Sequence, residues 1–129
     1  MAEPVMRSFV AAANAPDCDF PIQNLPYGVY SLAGGAPTCG VAIGDMIVDL
    51  AACEARGLID AQGTFSSPRL NDFIALGRIA WDKVRSDLTR LLGEDGERDL
   101  PLVHMADATM HLPIQVTEYT DFYASKNHA

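Results

Sequence analysis

The chain has 129 residues, of which 49% are hydrophobic and 20% are charged, with eight prolines and ten glycines. This length and composition are typical of one globular domain with a buried core, and they exclude a disordered or fibrous protein. The 17 acidic and nine basic side chains give a formal net charge of −8. Nucleic acids and anionic membrane surfaces are therefore disfavoured as partners, because both are negatively charged.

The three cysteines, Cys18, Cys39 and Cys53, are odd in number and show no C-x-x-C spacing. This pattern disfavours a disulfide framework and a zinc site, and it indicates a reducing cytoplasm. Small buried hydrophobic side chains are the favoured interpretation of the thiols, and a reactive thiol is the alternative. No apolar run approaches the ~18 residues of a membrane span, and the N-terminal run is too short for a signal peptide.

The first part of the chain predicts a loop and then a β-hairpin. Three prolines at intervals of five within residues 14–28 exclude a regular helix, and residues 29–32 indicate a short strand. Residues 41–43 and 46–48 flank a two-residue link that begins with Gly44, which favours a hairpin with a type II′ turn. Both strands are apolar on both faces, so we expect the hairpin to be largely buried.

The middle of the chain predicts helices. Asp49 is placed to cap a helix over residues 50–56, which Gly57 can end. Residues 70–76 are helical by pattern. Apolar residues then recur at three- and four-residue spacing over residues 78–92, as in an amphipathic helix.

The remaining segments are a loop and two extended stretches. Residues 63–68 predict the loop, and residues 100–104 and 110–116 predict short strands, each interrupted by proline. The favoured architecture is therefore a small barrel or roll of short strands with inserted helices.

The last twelve residues concentrate the side chains that could carry chemistry, namely Asp121, Tyr123, Ser125, Lys126 and His128. A carboxylate can bind a hard cation, and an imidazole can act as a general base near neutral pH. Spacing alone nevertheless favours a solvated or capping carboxylate at Asp121 and an ordinary polar histidine at His128.

Other classes of site have little support in the sequence. No serine lies in a G-x-S-x-G elbow, and no glycine-rich loop precedes a helix in the way that phosphate binding requires. His104 and His111 are both predicted to be structural.

In several blocks taken together, the sequence resembles the fumarylacetoacetase family. The blocks follow one another in the order found in that family: 19–30 (DFPIQNLPYGVY), 40–45 (GVAIGD) with 48–50 (VDL), 70–73 (LNDF) with Gly77 and Trp81, and 108–113 (ATMHLP) with 119–123 (YTDFY), Ser125 and His128. Separate blocks in one order are a more specific signal than any single motif.

The resemblance implies a fold that is mainly β with inserted helices (α+β). It implies a small SH3-like barrel over residues 1–113, with residues 114–129 as an extended tail that links to and begins a catalytic domain. It also implies a homodimeric cytoplasmic enzyme of tyrosine and phenylalanine degradation. That enzyme is a metal-dependent hydrolase that cleaves a carbon–carbon bond of a diketo acid, fumarylacetoacetate, to give fumarate and acetoacetate.

By motif, Asp121 resembles a ligand of the family's Ca²⁺ or Mg²⁺, Tyr123 resembles a substrate contact, and His128 resembles the general base that activates water. The other metal ligands of the family belong to its catalytic domain, so the 129 residues alone are expected to be inactive. The alternative is a stand-alone, non-catalytic binding domain that complements a separate catalytic chain.

Overall fold

The computed structural model describes residues 7–96 and 99–112. It contains five strands and three helices: β1 (Tyr27–Leu32), β2 (Thr38–Ile43), β3 (Met46–Asp49), α1 (Leu50–Ala55), α2 (Asn71–Ala75), α3 (Arg78–Leu92), β4 (Leu102–His104) and β5 (Ala108–His111). Short 3-10 turns lie at Ala11–Asn14, Thr64–Ser66 and Met105–Asp107. The expected mainly β architecture with inserted helices is confirmed for this part of the chain.

All five strands belong to one antiparallel sheet, in the order β4-β3-β2-β1-β5. β4 and β5 form its opposite edges, although only the 3-10 turn Met105–Asp107 separates them along the chain. A flat sheet of five strands at ~4.8 Å spacing would hold its edges about 19 Å apart. The four residue steps from His104 to Ala108 span at most about 14 Å. The sheet is therefore curled into a half-barrel.

The predicted hairpin is confirmed in its strands and in its turn. β2 and β3 pair from Ile43 opposite Met46 to Gly40 opposite Asp49. Gly44 has a φ of 60°, whereas Asp45 is not in the positive-φ region, which is the combination that a type II′ turn requires. A Cβ at Gly44 would also lie 2.7 Å from the backbone nitrogen of Ala13, so this position requires glycine for space as well.

The helices begin and end close to the predicted residues. The carboxylate of Asp49 accepts a hydrogen bond from the Ala52 backbone N–H at 3.0 Å and so caps α1. Gly57 follows that helix with a φ of 76°. α3 has the predicted bounds and buries the apolar side chains Val84, Leu88, Leu91 and Leu92. In residues 7–96 and 99–112, no helix is long and apolar enough to cross a membrane.

The loop between α1 and α2 is organised by the carboxylate of Glu54. Its oxygens accept hydrogen bonds from the backbone N–H groups of Ala61 at 2.6 Å, Gly63 at 3.0 Å and Phe65 at 3.4 Å. The segment predicted as a plain loop at residues 63–68 therefore contains a 3-10 turn, and the side chain of Phe65 is buried.

One face of the sheet packs against the helices and forms the core. We refer to it as the closed face. The strand and helix side chains that meet there are Val29, Cys39, Val41, Ile43, Val48, Leu50, Cys53, Val84 and Leu88. Cys39 and Cys53 are buried free thiols and Cys18 is partly exposed, so the interpretation as small buried hydrophobes is confirmed for two of the three cysteines.

Candidate functional site

The residues to which the family resemblance assigns chemistry, Asp121, Tyr123 and His128, lie outside the described residues. Their grouping stays a prediction. Within the described ranges, no group of three or more His, Cys, Asp or Glu side chains could hold a metal ion. The described part of the chain therefore does not by itself fit a Ca²⁺ or Mg²⁺ site, which needs several oxygen ligands.

The curl of the sheet leaves a cavity of about 250 Å³ on the face opposite the helices. Strand residues supply its floor, and the loop that precedes β1 together with the β4–β5 turn supplies its rim. The side chains and backbone that line it are almost entirely apolar or aromatic: Phe20, Pro26, Tyr27, Gly28, Tyr30, Gly40, Ala42, Ile47, Met105 and Met110. We refer to this cavity as the half-barrel pocket.

The buried Tyr30 side chain lies at the floor of the half-barrel pocket, beside the partly buried carboxylate of Asp49. Tyr30 belongs to β1 and Asp49 to β3, and between them on β2 lies Gly40, which pairs with Asp49. A Cβ at Gly40 would lie 2.8 Å from a carbon of the Tyr30 ring and 2.6 Å from the Ile47 side chain. Because Gly40 has no side chain, the ring can lie over the middle strand, and the phenol forms a hydrogen bond with the Asp49 carboxylate.

The electrostatics of this pair keep the phenol protonated. Burial raises the pKa of Tyr30 well above its ordinary value, and the negative charge and hydrogen bond of Asp49 raise it further. The Tyr30 hydroxyl therefore donates to the carboxylate throughout the physiological range. A phenol held in this state is a hydrogen-bond donor and not a base.

The charge of Asp49 also affects the pKa of two buried thiols on the closed face. Burial raises the pKa of both Cys39 and Cys53 from 9.0 to about 11, and the charge of Asp49 adds to the shift. The nucleophilic form of cysteine is the thiolate, so both thiols are poor nucleophiles at neutral pH. The alternative of a reactive thiol has no support at these two positions.

A serine and a histidine form a second polar pair at the sheet edge. The Ser31 hydroxyl and Nε2 of His111 are 2.7 Å apart and exposed. Nucleophilic catalysis by such a pair requires an acid that orients the imidazole and donors that stabilise an oxyanion. Within residues 7–96 and 99–112, no carboxylate is hydrogen bonded to the other ring nitrogen of His111. The pair therefore serves to join β5 to β1, which is a structural role.

Arg85 of α3 holds the loop that forms one rim of the half-barrel pocket. Its guanidinium donates to the carbonyl oxygens of Asn24 at 3.0 Å and Leu25 at 3.3 Å, and it lies 5.8 Å from the centroid of the Tyr27 ring. Leu25 has a φ of 42°, an unfavourable conformation for a residue other than glycine. These bonds to the backbone help to hold that conformation and fix Pro26 at the pocket.

Sequence reasoning missed both the half-barrel pocket and the Tyr30–Asp49 pair. The hairpin with its two-residue turn already implies that Gly40 lies opposite Asp49, and a glycine between apolar strand residues indicates close approach of another group. What the sequence does not reveal is that Tyr30 lies on the strand beside Gly40 and on the same face.

Comparison with known proteins gives one consistent family. The sequence model of the family described as fumarylacetoacetase N-terminal matches residues 23–113. The fumarylacetoacetase of Caenorhabditis elegans is 45% identical over 139 residues, which covers 96% of this chain and 32% of that protein. The Homo sapiens fumarylacetoacetase is 44% identical over 135 residues, covering 95% and 32%. That of Arabidopsis thaliana is 38% identical over 139 residues, covering 97% and 32%. The chain thus spans about a third of the length of these relatives.

Proposed function

The chain belongs to the fumarylacetoacetase N-terminal family, and from this premise we propose that it is the N-terminal portion of a fumarylacetoacetase. The observation that carries the proposal is the family match over residues 23–113, together with the identity to fumarylacetoacetases of animals and plants. The proposed reaction is hydrolysis of a carbon–carbon bond of fumarylacetoacetate to fumarate and acetoacetate in tyrosine and phenylalanine degradation. The proposed compartment is the cytoplasm, and the proposed assembly of the complete enzyme is a homodimer.

The proposed roles in the site fall on Asp121, Tyr123 and His128. Asp121 would be one ligand of Ca²⁺ or Mg²⁺, and Tyr123 would contact the diketo acid. His128 would take a proton from the attacking water, which suits an imidazole with its pKa near neutral. The described residues offer no further metal ligands as a group. The remaining ligands would therefore come from the two-thirds of the relatives' length that this chain does not span, and the chain alone would be inactive.

The domain organisation is part of the proposal. Residues 1–113 would form an SH3-like barrel, and residues 114–129 would link to and begin the catalytic domain. The strand order β4-β3-β2-β1-β5 and the single 3-10 turn between the two edge strands support the SH3-like assignment.

A chimaera tests the proposed function directly. In it, this chain replaces the aligned segment of the Homo sapiens fumarylacetoacetase. We expect the chimaera to hydrolyse fumarylacetoacetate and the 129-residue chain alone to be inactive. In the chimaera, His128→Gln should lower kcat by about 10²-fold or more, as expected for loss of a general base. The matched control is His104→Gln at an exposed histidine, which should leave kcat unchanged. A folded but inactive chimaera, or equal rates in the two variants, would contradict the proposal.

The second candidate function is a non-catalytic binding domain that complements a separate catalytic chain. The open, apolar half-barrel pocket favours it, because such a pocket can accept part of another protein. Mixing this chain with the separately produced remainder of the human relative distinguishes the two functions. Hydrolysis restored by mixing favours the binding domain, whereas hydrolysis confined to the covalent chimaera favours one continuous enzyme.

A further inference from the structure

We infer that the half-barrel pocket and the apolar residues beside it, Leu32, Met110 and Leu112, form the surface on which the catalytic part of the enzyme docks. We refer to these three residues as the apolar strip. The inference rests on the proposed function and specifies which face of this domain meets its catalytic partner. The partner is the portion of a fumarylacetoacetase that this chain, at 32% of the relatives' length, does not span.

The apolar strip lies on the same face of the sheet as the half-barrel pocket. Met110 pairs directly with Tyr30, and Leu32 pairs with Ala108, two residues before Met110. Side chains alternate between the two faces of a strand, so both residues share the face of Tyr30. Leu112 lies two residues beyond Met110, directly after the end of β5.

The three side chains of the apolar strip are unusually exposed for hydrophobic residues. The exposed fractions are 40% for Leu32, 59% for Met110 and 72% for Leu112. Single exposed hydrophobic residues are common, but several on one side of an apolar cavity indicate an interaction surface. Ile79 on α3 is 88% exposed but does not line this pocket, so it lies outside the proposed surface.

The chemistry of the half-barrel pocket selects an apolar occupant. Two tyrosines line the pocket: the Tyr30 hydroxyl is already paired with Asp49, whereas the buried Tyr27 hydroxyl has no hydrogen-bond partner among the described residues. Apart from that hydroxyl, the lining is apolar, so a polar ligand would be desolvated on entry without new partners. Met105 and Met110, on the rim, can adapt to an incoming apolar side chain because methionine is unbranched and flexible.

The route of the chain favours the catalytic part over an unrelated protein. The described residues end at Leu112, directly after β5, whose Met110 lines the half-barrel pocket. In the complete enzyme, the polypeptide that follows would therefore start at the rim of this pocket. A covalently attached partner is present at high effective concentration, so a modest apolar contact suffices to hold it.

Charge substitution on the apolar strip tests the inference through stability. Met110→Glu should leave the thermal midpoint of the 129-residue chain unchanged, because the side chain is exposed there. In the chimaera with the human relative, it should lower the midpoint of the catalytic part by about 3 °C or more. The matched control, Ile79→Glu, should leave the thermal midpoint unchanged in both the isolated chain and the chimaera. The inference would be overturned if both substitutions lowered the thermal midpoint of the chimaera equally. It would also be overturned if Met110→Glu lowered the midpoint of the isolated chain as much as that of the chimaera.

Methyl NMR of ¹³C-methionine provides a readout that is independent of activity. The methyl resonances of Met105 and Met110 should differ between the isolated chain and the chimaera, whereas Met46, which packs on the core, should not change. Unchanged Met105 and Met110 resonances in an active chimaera would refute the docking surface and leave the proposed function intact. An inactive chimaera with shifted resonances would refute the function and retain the docking surface.

Discussion

The closed face and the pocket face of the same sheet are built in opposite ways. On the closed face, side chains such as Val41 and Ile43 are fully buried against helices. On the pocket face, Gly28 and Gly40 carry no side chain, and Met110 is more than half exposed. Helices cover one face, whereas on the other the curl of the sheet and the two glycines leave a cavity.

Asp49 connects the two faces. Its carboxylate caps α1 on one side and pairs with Tyr30 at the floor of the half-barrel pocket on the other. The hairpin that places it also places Gly40 opposite. Asp49 therefore connects the floor of the pocket to α1.

The largest expected effect comes from two isoleucines of the hairpin that lie on opposite faces. Ile43 is fully buried on the closed face, whereas Ile47 is 3% exposed and lines the half-barrel pocket. Ile43→Ala should lower the free energy of unfolding by about 2–5 kcal/mol. Ile47→Ala should cost less, because that side chain already borders a cavity. Urea denaturation measures both values, and equal losses would contradict the distinction between the faces.

The thiols of the closed face should make the protein less stable at alkaline pH. The pKa of Cys39 and Cys53 is raised to about 11, so the folded state holds their protons more tightly than the unfolded state. The free energy of unfolding should therefore be highest below pH 9 and fall between pH 9 and 11, by about 2 kcal/mol for each thiol. The raised pKa of Tyr30 extends the decline to higher pH.

Denaturation at a series of pH values, with cysteine variants, tests this dependence. Replacing Cys39 and Cys53 together by Ala should flatten the decline between pH 9 and 11, although the double variant starts from a lower stability. Cys18→Ala at the partly exposed cysteine is the control and should leave the slope unchanged. If the double substitution leaves the slope between pH 9 and 11 unchanged, the decline is caused by groups other than these two thiols.

Two glycines of the pocket face should respond differently to alanine. A Cβ at Gly40 meets the Ile47 side chain at 2.6 Å and the Tyr30 ring at 2.8 Å, so Gly40→Ala should cost about 1–3 kcal/mol. A Cβ at Gly28 meets only the flexible end of Met110, at 3.1 Å, so Gly28→Ala should cost markedly less. Thermal or chemical unfolding compares them, and the Tyr30 environment can be followed by near-UV circular dichroism.

The smallest effect is expected from substitution of Asp49, the residue that caps α1 and contacts Tyr30 on the other face. Asp49→Ala removes the acceptor for the Ala52 N–H and should cost about 1 kcal/mol. Asp49→Asn retains a capping oxygen and should cost less. Asp45→Ala, at an exposed residue of the hairpin turn, is the control and should be nearly neutral. Since both variants lose the charge and only Ala loses the cap, an equal loss for Asn and Ala would show that the charge toward Tyr30 matters more than the cap.

Much of the local structure can be predicted from the sequence, because the signals act over a few residues. Gly44 permits a positive φ and so specifies the hairpin turn, and Asp49 followed by apolar residues specifies the start of α1. The apolar spacing of residues 78–92 specifies α3. The family can also be recognised, because its motifs keep their order along the chain. The placement of Asp121, Tyr123 and His128 remains a prediction from that resemblance.

The sequence by itself therefore determined the hairpin, the caps, the long helix and the family. Only the tertiary structure decided that β1 lies between β2 and β5, which face is closed, and that Tyr30 reaches Asp49 over Gly40. The physical reason is that both faces of these strands are apolar, so alternation does not reveal which one meets the helices. Pairing between β1 and β5 joins residues about 80 positions apart, a contact that depends on closure of the whole sheet and has no local signal.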